Sequence, residues 1–271
     1  MWIDGEWSND KTGYDRMLDL HRMGWGWEFM RREPGLIRTA RRARLRHPVV
    51  AHRRDGKSII RLRRRCPQAE EYGLQFFPDP SLSAFETVPF WLPDALSDSL
   101  SANLALTHER RAKDAGLSLE DLPGERHYLI GPGRRPKLII AAKGYAAQLA
   151  LDENAIAVPQ AVYLSLRLGA GELVGNNLNL PAVEEFAAFC SGHDMDCKPL
   201  RGLSPEKLRD TIIALDGELA GVSRRRIAEV IFGKNIIASA WNDGSQCYQK
   251  RTKRLVEKGE ELMAYGYRNL L

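Results

Sequence analysis

Arg224, Arg225, Gln246, Gln249, Lys250, Lys253 and Arg254 have the side-chain types and spacing to contact a nucleic acid. A Gln amide can pair with an adenine edge, and Lys or Arg can read guanine or bind phosphate. The last five of these residues fall on a helix expected to begin near Ser245. At about 100° per residue, Tyr248, Thr252, Leu255, Val256, Gly259, Leu262 and Met263 gather on one side of it. The opposite side begins with Gln246, Lys250, Lys253 and Arg254, with Gln249 on the edge, and ends with Glu257, Glu260 and Glu261. The outward face is therefore basic and amide-rich first, then acidic. A recognition helix presents its N-terminal residues to bases and phosphates, so negative charge is tolerated only away from that end. Arg224 and Arg225 open a preceding short helix, where they are expected to bind phosphates. A charged outer face alone is what any soluble helix carries; the grading of the charge is what points to DNA.

Other chemistries find less support. Glu70-Glu71, Glu184-Glu185 and Glu260-Glu261 are adjacent carboxylates, whose side chains diverge on a regular element rather than converge on a metal or a proton. Cys190, His193 and Cys197 lack the fourth ligand and the paired short spacings of structural zinc. Gly131-Pro132-Gly133 leads into a strand candidate, whereas a phosphate-binding loop leads into a helix. No enzymatic activity, cofactor or metal is expected.

The elements that would position the basic face are legible upstream. Ser204-Pro205 starts a helix, with Ser as cap and Pro at the first position. Leu208, Ile212, Leu215 and Leu219 then form one apolar stripe. Gly221 breaks the chain, and Ser223 caps a second helix with Ile227, Val230 and Ile231 inward and Gly233 at its end. Lys234 to Gly244 is expected to be a linker of eleven residues, longer than the three or four of a standard helix-turn-helix turn.

Toward the N-terminus, residues 14–32 are expected to form one amphipathic helix, ended by Pro34-Gly35, with Trp25, Trp27 and Phe29 in a small core. The chain of 271 residues carries a net charge of +5, but unevenly. Arg31 to Arg65 holds fourteen Lys or Arg against Glu33 and Asp55, a local +12 that leaves −7 elsewhere. Such a basic arm is expected to add sequence-independent affinity for a polyanion. Ile59, Ile60 and Leu62 suggest a strand, and His127–Ile130, Leu138–Ala142 and Ala147–Leu151 suggest a hairpin or meander. The expected fold class is α+β: a helical N-terminal domain with the basic arm (1–57), a middle region with a small antiparallel β component (58–175), and a C-terminal helix-turn-helix-variant domain (176–271). No leader peptide and no membrane-spanning run are read from the sequence, and a cytoplasmic, nucleoid-associated location is expected.

Several segments carry a family resemblance. Leu215-Asp216-Gly217-Glu218-Leu219-Ala220-Gly221-Val222-Ser223, Ile227-Ala228-Glu229-Val230-Ile231-Phe232-Gly233 and the ending Gly266-Tyr267-Arg268-Asn269-Leu270-Leu271 resemble a bacterial helix-turn-helix-variant domain. Tyr14-Asp15, Gly24-Trp25-Gly26-Trp27-Glu28-Phe29 and Arg31-Arg32 resemble the short N-terminal domain that accompanies it, and Phe90-Trp91-Leu92-Pro93 the region between them. Together they resemble the FseA-type activators of excision of integrative and conjugative elements. That resemblance implies a transcriptional activator of an excisionase-type gene, with promoter DNA as partner and a small single-domain antiactivator that binds the activator. RNA polymerase is a further expected partner. The alternative function is a protein-interaction module, an antiactivator or RNA polymerase adaptor, that binds another regulator rather than DNA.

Overall fold

A computed structural model describes residues 7–43, 48–52, 57–96, 103–105, 123–132, 136–151, 163–165, 180–193, 195, 200, 202–243 and 246–271. In chain order, a 3₁₀ helix (Lys11–Asp19) is followed by α1 (Arg22–Met30), α2 (Pro34–Arg42), β1 (Val49–His52), β2 (Lys57–Arg61) and α3 (Pro67–Glu71). Next come β3 (Asn103–Ala105), β4 (Glu125–Ile130), β5 (Lys137–Ala142), β6 (Tyr145–Ala150) and β7 (Tyr163–Ser165). The remaining helices are α4 (Leu180–Cys190), α5 (Pro205–Leu219), α6 (Arg224–Phe232), α7 (Lys234–Ala240) and α8 (Cys247–Ala264), with a terminal 3₁₀ turn at Gly266–Leu270. The fold is α+β, and its elements form two compact units. One comprises Met1–Arg44, Phe77–Pro89 and Cys197–Leu271; the other comprises Leu45–Phe76 and Phe90–Asp196.

The second unit is built on a five-stranded sheet of order β1-β2-β4-β5-β6. β4, β5 and β6 form the antiparallel meander read from the sequence, with Leu138 opposite Leu149 and Tyr128 opposite Leu138. The β5–β6 turn is made at Gly144, whose φ of 70° suits a residue without Cβ. The sheet is mixed rather than purely antiparallel, because β2 runs parallel to β4, pairing Ser58 with His127 and Ile60 with Leu129. A parallel pair needs a long connection, and the segment between β2 and β4 is long enough to return the chain in the same direction. Leu138, Ile139 and Ile140 are all fully buried, so β5 is covered on both faces, which explains its continuous apolar run. Phe186 and Phe189 of α4 pack on Leu138, Ile140, Tyr145 and Leu149. The Gln148 amide brackets the backbone of Trp91, accepting from its N–H at 3.0 Å and donating to its C=O at 2.8 Å.

In the first unit the single N-terminal helix expected over 14–32 is two. Leu20 is extended (ψ 136°) and His21 caps α1 by accepting from the Gly24 amide. The polar cap competes with continuation of the helix, so the chain bends there. Pro34, expected as an ending, instead begins α2 behind the Glu33 cap, since a first-turn Pro sacrifices no helical hydrogen bond. Trp25, Trp27 and Phe29 are core, as expected. Arg31 and Arg32, counted with the basic arm, are buried as well, because Glu28 and Asp216 pair with them. The described exposed cations of that stretch are Arg38, Arg41 and Arg42 on α2, and Arg61, Arg63, Arg64 and Arg65 of the other unit. Arg44, Arg46, Arg53 and Arg54 lie outside the described residues.

Candidate nucleic-acid interface

α5 is the central strut of the C-terminal helices. Ser204 caps it and Pro205 occupies its first position. Leu208, Ile212 and Leu215 are fully buried, but Leu219 is 52% exposed. The expected stripe therefore ends one turn early, because α5 itself ends at Leu219 and the chain turns away at Gly221, whose φ is 69°. Two glycines set how closely neighbours approach. A Cβ on Gly217 would lie 2.6 Å from Cγ1 of Ile227 on α6, and one on Gly259 of α8 would lie 2.9 Å from Cβ of Leu215.

Ser223 caps α6 as predicted, accepting from the Arg226 amide at 3.4 Å. Arg224 and Arg225 stand about half-exposed in its first turn. Arg224 lies 3.8 Å from Glu218 and Arg225 lies 3.7 Å from Glu229. Such long exposed ion pairs contribute well under about 1 kcal/mol and are readily exchanged for phosphate. Arg226 is more committed, to Glu229 at 2.9 Å and to Asn9 at 3.3 Å.

The expected eleven-residue linker contains a helix. Gly233, with φ 99°, turns the chain directly from α6 into α7, and α7 buries Ile237. Ile236 and Ile237 lie among residues permissive of a helix, and the glycine at the end of α6 serves as a joint rather than as the start of a loop. What remains between α7 and α8 is six residues, Trp241–Gln246, of which 244 and 245 lie outside the described residues.

The wheel read from the sequence matches α8. Thr252, Val256, Gly259 and Leu262 are buried, while Lys250, Lys253 and Arg254 are exposed. Gln246 is exposed ahead of the helix in a left-handed conformation (φ 51°), its amide bonded to the Asp243 carbonyl and carboxylate. Gln249 is half-buried, and its Nε2 donates to the Trp241 carbonyl at 2.6 Å. Its amide nitrogen thus fixes the α7–α8 loop, and the amide oxygen is the acceptor left for other contacts. Lys253 approaches Glu257 at 3.6 Å with both side chains more than half-exposed, and Arg254 makes no ion pair with a described residue.

Arg251 was not singled out in the sequence. Its guanidinium lies 4.6 Å from the Phe232 ring and 5.7 Å from the Tyr248 ring, and those rings meet edge-on at 5.2 Å. The signal was available in Tyr248 three residues before Arg251, neighbours on a helix surface. With it, the first half of α8 carries Lys250, Arg251, Lys253 and Arg254 and no acid, and the second half carries Glu257, Glu260 and Glu261. The arrangement can place several cations along one polyanion while the acidic turns stay clear of it.

Among the described residues no group of three or more His, Cys, Asp or Glu is placed to hold a metal ion. Cys190 and His193 are apart in role: burial pushes the Cys190 thiol up to about 11, and the His193 ring meets the Ala188 carbonyl at 3.1 Å. Cys197 lies outside the described residues. No helix of the described residues is long and apolar enough to cross a membrane.

Residues 177–271 match the model of the RovC DNA-binding family, described as a T6SS transcription factor, DNA-binding domain. The match covers α5 to α8 and so includes every residue of the basic face. It supports a DNA-binding transcription factor. No curated protein matches the chain.

Proposed function

We propose that the protein binds double-stranded promoter DNA through the first half of α8, with Lys250, Lys253 and Arg254 on phosphates or guanine edges. Gln246 and the amide oxygen of Gln249 meet base edges, and Arg224 and Arg225 hold the backbone. The observation that carries this reading is the run of four cations without an acid from Lys250 to Arg254, on the exposed side of a helix whose other side is core. The protein is a regulator without catalytic chemistry. The resemblance of both chain ends to FseA-type activators supports excision or transfer genes of an integrative and conjugative element as targets. RNA polymerase and a small antiactivator are its proposed protein partners.

Genome-wide immunoprecipitation of the tagged protein, followed by gel shift on the recovered fragments, tests this. Discrete enriched promoters next to excision genes are expected. An empty profile, with a transcription regulator recovered in its place, would overturn DNA binding in favour of a protein-interaction module.

A further inference from the structure

The C-terminal helices carry a groove of about 660 Å³ between the first turns of α5 and the middle of α8. Its apolar lining comes from Leu203, Phe232 and Leu255, and its cations from Lys207, Arg251, Arg254 and Lys258. That volume lies in the range of small-molecule sites, which pair apolar walls with a few placed polar groups.

The charges around the groove are not balanced within the protein. Its two lining acids are engaged. Asp210 pairs with Lys11 at 3.0 Å and with Arg209 at 3.1 Å. Glu206 is bonded to Ser204 and to its own backbone amide, and those bonds hold its carboxyl below the usual range. Lys258 is occupied by Glu261 at 2.8 Å. Lys207, Arg251 and Arg254, by contrast, make no ion pair with a described residue, and the Arg251 guanidinium lies over the Phe232 ring at 4.6 Å. Three uncompensated cations beside an aromatic and two leucines suit a flat apolar body carrying one carboxylate or phosphate. Arginine can grip such an anion through two parallel N–H bonds.

We infer that this groove is an effector site for a small organic anion with an aromatic or similarly flat apolar body. Occupancy opposes DNA binding, because Arg254 lines the groove and also stands on the basic face of α8. The binding itself is independent of the DNA reading; only the coupling rests on it. An anion that takes the Arg254 guanidinium withdraws one phosphate contact and places negative charge beside Lys250 and Lys253.

The test uses the full chain and 1-naphthyl phosphate as probe, with 1-naphthol and inorganic phosphate as its two halves, followed by titration calorimetry without DNA. Saturable binding of one probe per chain is expected, with each half at least about tenfold weaker. Arg254→Gln and Lys207→Gln should each weaken the probe about tenfold while leaving the melting temperature unchanged. Absence of saturable binding overturns the site, as does equal affinity for 1-naphthol or unchanged affinity in both variants. In gel shift, saturating probe should weaken DNA affinity several-fold in the wild type and not in Arg254→Gln. Unchanged DNA affinity overturns the coupling. A protein that binds the probe but no DNA leaves the site standing and rejects the DNA reading alone.

Discussion

Arg32, just beyond α1, forks onto both carboxylate oxygens of Asp216 on α5, Nε to Oδ1 at 2.6 Å and Nη2 to Oδ2 at 3.0 Å. The same guanidinium reaches Glu28 Oε2 at 2.8 Å, and Arg31 reaches that oxygen at 2.7 Å. The Tyr14 hydroxyl donates to Asp216 at 3.3 Å. Burial pushes the Tyr14 hydroxyl well above its usual pKa, and the Asp216 charge adds to it. Two cations and two anions thus balance inside the unit that carries α8. Sequence segments nearly two hundred residues apart close the cluster, so the helices behind the basic face depend on the N-terminal segment.

Removing Asp216 should therefore destabilise the protein through the charges left behind. Breaking a buried ion pair by deleting one partner costs about 3–5 kcal/mol. Asp216→Asn keeps the volume and one acceptor, so a loss of about 3 kcal/mol in urea unfolding is expected. A loss under about 1 kcal/mol would mean that Glu28 alone satisfies Arg32.

The cluster also sets the acid limit. Burial opposes ionisation of Glu28, but Arg31, Arg32 and the Ala84 amide outweigh it and hold its carboxyl below the ordinary 4.5. A carboxyl depressed on folding contributes stability that is fully present above its unfolded pKa and lost as pH falls through the folded value. Glu28→Gln should thus be clearly less stable than wild type at neutral pH, with the gap narrowing only below pH 4.5. A gap that is constant from pH 7 to pH 3 would show that the substitution acts through shape alone.

What the sequence revealed and what it hid follow from the range of the interactions. The cap at Ser204, the buried side of α8 and the β4–β6 meander depend on neighbours within a few residues, and each is where the spacing puts it. Arg31 and Arg32 could not be told from the exposed arginines after them: Glu28, three and four residues back, was a legible local partner, but Asp216, which completes the buried cluster, is recognised as a partner only once the fold brings it to Arg32. The parallel pairing of β2 with β4 is likewise set by a long connection and not by either strand's residues. α7 was hidden for a different reason: it is seven residues long and buries Ile237 alone, too little for a periodic pattern. On the interface, Lys250, Lys253 and Arg254 were legible as charge, whereas the inward turn of the Gln249 amide depends on where the Trp241 carbonyl lies.

Gly259 marks a close approach of α8 to α5. A Cβ there would meet Leu215 Cβ at 2.9 Å and the Thr211 carbonyl at 3.2 Å. Replacing Gly in a helix gains about 1 kcal/mol of propensity, but overpacking a tight contact costs about 1–3 kcal/mol. Gly259→Ala should come out mildly destabilising, and Gly259→Val, β-branched as well as larger, clearly so. Thermal melts read both. A stabilised Gly259→Ala would show that the helices can separate without loss.

The basic face itself is tested by salt. Each phosphate contact made by Lys or Arg releases condensed counterions, so losing one lowers the slope of log affinity against log salt by about 0.9. Lys250→Ala, Lys253→Ala and Arg254→Ala should each weaken DNA binding in gel shift and flatten that slope. Gln249→Ala is the contrast. It removes no charge but frees the Trp241 carbonyl, so the slope should hold while stability drops by about 0.5–1.5 kcal/mol. Wild-type affinity and slope in all three charge variants would remove this face of α8 from DNA binding. A Gln249→Ala slope as flat as theirs would mean that the loop it holds, rather than the charges, places the helix on DNA.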